Sequence, residues 1–160
     1  MYSKKKQGFL ALILVLALVS TGCGWLEDLR ARDSLNKGVR SYSAQTYDEA
    51  IDHFQAAIEA DPGLVVAYLY LAISYRALYI PQATSAENLQ MARLAIENFE
   101  QVLEQTSSDD TQSRPTAMAN LAGIYSQMGD YDQAKEWYRR RLEDEPNNPE
   151  PMYGIGTIVW

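Results

Sequence analysis

Two stretches of the chain set the same kinds of residue at the same intervals. Tyr47, Ala50, Phe54 and Pro62 in TYDEAIDHFQAAIEADPG (Thr46–Gly63) recur as Tyr131, Ala134, Tyr138 and Pro146 in GDYDQAKEWYRRRLEDEPNNP (Gly129–Pro149). Apolar residues three or four apart share one helix face, so each stretch predicts an amphipathic helix closed by a proline that cannot continue it. Gly129 supplies the left-handed residue that ends one helix, and Asp130 starts the next. Gln45 stands in the glycine's place in the first copy, which is expected to strain that turn. Between the copies, a helix is expected from Leu64 to about Tyr79, where Ile80-Pro81 stops it. A second should follow over Ala86–Gln105, with Thr84-x-x-Glu87 as a capping box. TSSDDTQSR (Thr106–Arg114) reads as a polar loop. Repetition of this kind means a stack of similar helical units rather than one closed core.

The opening segment follows a different pattern. Lys4, Lys5 and Lys6 precede an unbroken apolar run, Phe9 to Val19, of 11 residues. That length suits the ~7–15 of an export signal and falls short of the ~20 that cross a bilayer as a helix. Small residues follow, Ser20-Thr21-Gly22, and then Cys23. The junction resembles the lipobox of bacterial lipoproteins, whose cysteine thiol takes a diacylglyceryl group and becomes the mature N-terminus. It departs from that pattern at Ser20, where leucine is commonest. An uncleaved anchor with Cys23 incidental is the alternative. Both readings put the body outside the cytoplasm and the lysines inside. Two acyl chains would supply the double anchoring that a single chain cannot. Gly24 after the cysteine, rather than aspartate, would by the family rule imply the periplasmic face of the outer membrane in a Gram-negative host. GWLEDLRARD (Gly24–Asp33) then reads as a short connector whose Trp25, Leu26 and Leu29 form an apolar patch at helical spacing, the first turns of the opening helix, with a membrane-surface contact as the alternative.

The body is identified as similar to tetratricopeptide repeat (TPR) proteins, whose pattern is W-x₂-L-G-x₂-Y, A-x₃-F and P over about 34 residues. The third copy matches best, with Met118-x₂-Leu121-Ala122-x₂-Tyr125, Ala134-x₃-Tyr138 and Pro146. The first keeps Gly38, Ala50-x₃-Phe54 and Pro62. The second offers Tyr68-x₂-Leu71-Ala72-x₂-Tyr75 and Ala95-x₃-Phe99, with an insertion in its middle. A fourth begins at Met152-x₂-Ile155-Gly156-x₂-Val159 and stops at Trp160. The resemblance implies an all-α, right-handed superhelical array of antiparallel helix pairs, about three and a half repeats long. The organisation expected is a signal over 1–22, a lipidated N-terminus and linker over 23–33, and the repeat domain over 34–160. Repeats lie near 31–64, 65–108 and 115–148, with a half repeat at 149–160. Helix axes approach closely only where small residues face each other: Gly38 against Ala50, Ala72 against Ala95, Ala122 against Ala134. Tyr75, Tyr125, Phe54, Phe99 and Tyr138 then fill the space between helices.

Composition narrows the function. Of the 14 Lys and Arg, three precede Cys23, and all 21 acidic residues follow it, which leaves 11 against 21, or −10. Such a body is ill suited to neutralising phosphates, so no nucleic-acid partner is expected. His53 is the single histidine and Cys23 the single cysteine, so no metal site and no disulfide are expected. No phosphate-binding glycine loop or nucleophile–histidine set is present, and neither a cofactor nor enzymatic activity is expected. Asp109-Asp110 and Glu143–Glu145 read as solvated surface. Arg139-Arg140-Arg141 is a basic patch in which the Arg141 stem is expected to lie across the helix pair.

What remains is a surface. The resemblance implies a concave groove, lined by the first helix of each unit, that grips a protein or peptide segment. Here the groove would include Val39, Tyr42, Leu69, Tyr70, Ile73, Arg76, Asn120 and Gly123. Val39, Ile73 and Gly123 stand where the co-chaperone clamp for a terminal carboxylate needs asparagine, so that activity is not expected. The last helix, MYGIGTIVW, offers an apolar edge for self-association or another partner. The expected protein is a non-enzymatic, lipid-anchored scaffold or adaptor in a bacterial cell envelope. The alternatives are an accessory subunit of pilus, secretion or outer-membrane assembly machinery, or a regulator of an envelope enzyme.

Overall fold

The structure, a computed structural model, describes residues 24–158. Among the described residues there are seven helices and no strand. They are α1 (24–43), α2 (Tyr47–Ala60), α3 (Val65–Leu78), α4 (Ala86–Gln105), α5 (Ser113–Met128), α6 (Tyr131–Asp144) and α7 (Glu150–Ile158). Each helix from α2 onward packs on the next in the chain, and α3 also meets α5. This is the stacking of helix pairs expected from the repeats, with α1, α3 and α5 as the first helices of three pairs. No helix among the described residues is long and apolar enough to cross a membrane. The segment 1–22 expected to be an export signal and Cys23, with Val159 and Trp160, lie outside the described residues.

Small residues and rings set the spacing of the pairs. Ala50, Ala72, Ala95, Ala122 and Ala134 are fully buried, as are Phe54 and Phe99. Gly38 bears directly on a ring: a Cβ added there would stand 2.5 Å from Cε1 of Phe54. The close partner of Gly38 is thus the Phe54 ring, one turn beyond Ala50. Tyr75 is buried, while Tyr125 and Tyr138 are only half-buried. In the half repeat, the glycine under a ring is Gly154, which the Tyr138 ring covers. Gly156, at the position the repeat pattern favours, faces open space. Met118, at the first signature position of the third copy, is buried, and Trp137 and Ile124 join the core from positions outside the pattern.

The turns follow shared backbone chemistry. Gly129 has φ 83°, its N–H donates to Ser126 O at 3.1 Å, and Asp130 N–H donates to Tyr125 O at 2.9 Å. These two bonds satisfy carbonyls that the helix end leaves free. The α1–α2 turn repeats them, from Gln45 N–H to Tyr42 O (2.9 Å) and from Thr46 N–H to Ser41 O (3.0 Å). Gln45 there has φ 62°, a conformation that a Cβ disfavours. Asp130 caps α6 by accepting from Gln133 N–H.

One expectation needs correction. The cap of α4 is Ser85, whose Oγ accepts from Asn88 N–H at 3.2 Å, so the Thr84–Glu87 box does not form the cap. Residues 24–33 are helical and form the first turns of α1, as the spacing of Trp25, Leu26 and Leu29 leads one to expect. Asn88 is buried and binds the inserted loop: it accepts from Ile80 N–H (2.7 Å) and donates to Ile80 O (2.9 Å) and Ala83 O (2.8 Å).

Two substitutions test this account by urea unfolding. Gly38→Leu should lose about 1–3 kcal/mol, because the added side chain meets the Phe54 ring. Gln45→Gly should gain roughly 0.5–1 kcal/mol, since glycine adopts the left-handed turn without strain.

Candidate functional site

The groove-side residues come from three helices. Val39 and Tyr42 lie on α1, Leu69, Tyr70, Ile73 and Arg76 on α3, and Asn120 and Gly123 on α5; all eight are half-buried. Successive first helices place them on one side because i, i+3 and i+4 positions share a face. They are not equally free. The Tyr70 ring stacks on Phe54 (centroids 5.5 Å, planes 19° apart) and meets Tyr42 edge-on at 6.1 Å. Tyr42 also lies 5.5 Å from Tyr47. Val39, Leu69 and Ile73 pack against the core as well. Tyr70 is therefore first a packing residue joining the first two units.

Arg76 is the polar centre of this face. Its Nη1 donates to Asn120 Oδ1, and Asn120 Nδ2 in turn donates to Thr116 O at 2.8 Å, which orients the amide. Gly123 leaves room for the guanidinium: a Cβ there would stand 3.0 Å from Nη2. Among the described residues no carboxylate lies within ion-pair distance of Arg76. Burial holds its pKa below the ordinary guanidinium value, with the hydroxyls of Tyr138 and Tyr42 opposing that. Burial likewise raises Tyr42, helped by Tyr47 and Tyr70. Tyr42, Ile73, Arg76, Ala77, Tyr79, Pro81 and Gln127 line a recess of about 250 Å³. Tyr79 and Pro81 belong to the insertion after α3. The Ile80-Pro81 break was readable in the sequence, but its return toward Arg76 depends on tertiary packing.

A second recess, about 430 Å³, lies between α4 and α6. Arg114 forms its floor, paired with Asp144 at 2.7 Å and donating to Leu103 O (3.2 Å) and Thr106 O (3.4 Å). Glu100 lies at its edge; burial raises its carboxyl pKa, as do Glu104 and Glu97. Trp137 is covered by the Arg140 guanidinium, 4.7 Å from the ring centroid, and its indole N–H has no hydrogen-bond partner among the described residues.

Of the acids expected as plain surface, Asp110, Asp144 and Glu145 hold the framework instead. Asp110 accepts from Gln112 and Arg114 N–H at the start of α5. Arg141, its side chain 13% exposed, pairs with Glu145 and Glu150 at 2.8 Å each and so joins α6 to α7. Arg139 and Arg140 both reach Glu136. The three arginines thus do not form a free cationic patch. His53 sits half-buried on α2 next to Phe54. Among the described residues no group of three His, Cys, Asp or Glu is placed to hold a metal ion.

Comparisons agree with this architecture. Residues 74–144 match the family model described as "Tetratricopeptide repeat". The chain is similar to the photosystem I assembly protein Ycf3 of a Synechococcus species, at 35% identity over 83 residues, covering 51% of this chain and 46% of that protein. It is also similar to Hsp70-Hsp90 organizing protein 1 of Glycine max, at 30% over 129 residues, covering 81% of this chain and 20% of that one. The chain thus spans less than half the length of these curated relatives. The first TPR domain of Spaghetti (RPAP3), solved with an HSP90 peptide, has the same fold. Its TM-score is 0.65 at 23% identity, over 82% of this chain and 92% of that one. MamA gives a TM-score of 0.65 at 17% identity, over 80% and 66%.

Asn120→Leu should cost about 1–3 kcal/mol in urea unfolding, because the half-buried guanidinium loses its acceptor. Arg76→Leu should cost less, since it removes the charge along with its need for a partner.

Proposed function

We propose that the protein is a non-enzymatic, lipid-anchored scaffold of a bacterial cell envelope that holds a segment of another protein against α1, α3 and α5. The observation that carries this reading is Arg76. A half-buried guanidinium donates to a neutral amide, has tyrosines around it, and sits in a body of strongly acidic balance. Its remaining N–H donors face a recess large enough for a side chain, so a partner segment presenting an acceptor there would complete the site. Tyr42 and Ile73 supply apolar walls beside it. The peptides bound to similar repeat domains support this mode of recognition: an HSP90 peptide on one RPAP3 domain and an HSP70 peptide on another. The anchor rests on sequence. The only cysteine stands at the boundary between the apolar run and the polar body, where acylation at Cys23 would tether the chain outside the cytoplasm. In a Gram-negative host the periplasmic face of the outer membrane is the expected site.

Both parts can be tested in the producing bacterium. A photo-crosslinker in place of Ile73 should yield discrete adducts, identified by mass spectrometry, that fall sharply with Arg76→Gln; adducts indifferent to Arg76 would refute the groove. A palmitate analogue should label the protein and fail to label Cys23→Ala; label persisting in that variant would refute the anchor.

A further inference from the structure

We propose that the first turns of α1 form a second contact, with the lipid surface itself, through Trp25, Leu26 and Leu29. This rests on the reading that the segment before residue 24 is held at a membrane.

The three side chains are 66%, 48% and 52% exposed, and they are three of the eight exposed large hydrophobic residues among those described. They gather within five consecutive positions at one end of the molecule. At roughly 100° per residue they span an arc of about 100°. Ala31, fully buried, lies roughly opposite the middle of that arc on the same helix wheel. Gly38, under the Phe54 ring, lies on the same side as Ala31. The core-facing side of α1 is thus one side and the apolar strip another, so packing within the array does not account for the strip.

Position identifies what covers it. α1 is helical from residue 24, so no flexible spacer separates Cys23 from the strip. At 1.5 Å per residue, Leu29 lies only about 8 Å along the helix from Gly24, the residue that follows Cys23 in the sequence, close to the depth at which interfacial helices bury an apolar face. Tryptophan is the side chain favoured at the headgroup level. Charge contributes little: Glu27 and Asp28 balance Arg30 and Arg32, and Arg32 is bonded to Asp28 at 2.9 Å. The contact is therefore apolar, and insensitive to salt and to anionic lipid.

The test uses the full chain, made in a lipidating bacterium and reconstituted into vesicles of phosphatidylethanolamine and phosphatidylglycerol. In a Trp137→Phe, Trp160→Phe background, lipids brominated near the headgroup should cause a several-fold loss of Trp25 emission that persists in high salt. A photo-crosslinker at Leu29, in the otherwise unaltered chain, should give lipid adducts. The same probe at Met152, exposed on α7, should give none. Unquenched Trp25 together with protein–protein adducts from Leu29 overturns the proposal in favour of a second copy or another protein. Unquenched Trp25 with no adduct of either kind also overturns it. Mass analysis of the N-terminal peptide separates the two readings. A floating chain that lacks acyl mass yet shows quenching refutes lipidation at Cys23 and upholds the strip. A floating, acylated chain without quenching refutes the strip alone. A chain that does not float with the vesicles refutes both.

Discussion

The close approach of paired helices is the constraint on which the rest of the structure depends. Gly38 beneath Phe54 is its sharpest instance, and the buried alanines at 50, 72, 95, 122 and 134 are its regular form. With small residues on these faces, rings from second helices can reach between neighbours, and each unit gains apolar burial it could not obtain alone. The groove follows from that stacking. Tyr42, Arg76 and Asn120 converge because the stacking holds α1, α3 and α5 side by side. Tyr70 shows where the two roles meet, since the ring that could face a partner is spent on Phe54 and Tyr42.

Electrostatics then refine the array rather than create it. Arg114 ties the end of α4 to the end of α6, and Arg141 ties α6 to α7. Arg76, between α3 and α5, has an amide instead of a carboxylate. Exposed pairs such as those on Glu136 contribute little individually. The more buried ones matter because removing one partner strands the other. A chain with so many acids has carboxylates to spare for Arg114 and Arg141, which makes their absence around Arg76 the more informative.

Much of the fold was legible in the sequence because repeat packing reuses one local code. Gly129, Gln45 and Asp130 announced their turns through backbone chemistry alone, and α4 begins and ends where its pattern predicts. The shift from Thr84 to Ser85 at its cap is a one-residue matter decided by Asn88, whose side chain must reach back to Ile80. No periodicity encodes that loop closure. Likewise Gly154 rather than Gly156 receives the Tyr138 ring, since the tilt of α7 is set by contact across the interface. At the candidate site, the groove-side residues could be named only through the resemblance to the repeat family. Their pairing could not: the Arg76–Asn120 bond joins positions 44 residues apart, and the Tyr79–Pro81 edge arrives from an insertion outside the repeat pattern.

The unbroken course of α1 has a mechanical meaning. Between Trp25 and Tyr42 there is no proline, and the one glycine is clamped beneath an aromatic ring, so the segment has no hinge. It is a rod of about 26 Å at 1.5 Å per residue. Any tilt or pull imposed at its first turn is delivered to the far end as rotation of the whole rod, with little lost to bending. Restraint at residue 24 would therefore fix the heading of the face that carries Arg76 as well as its height, as a mast differs from a tether.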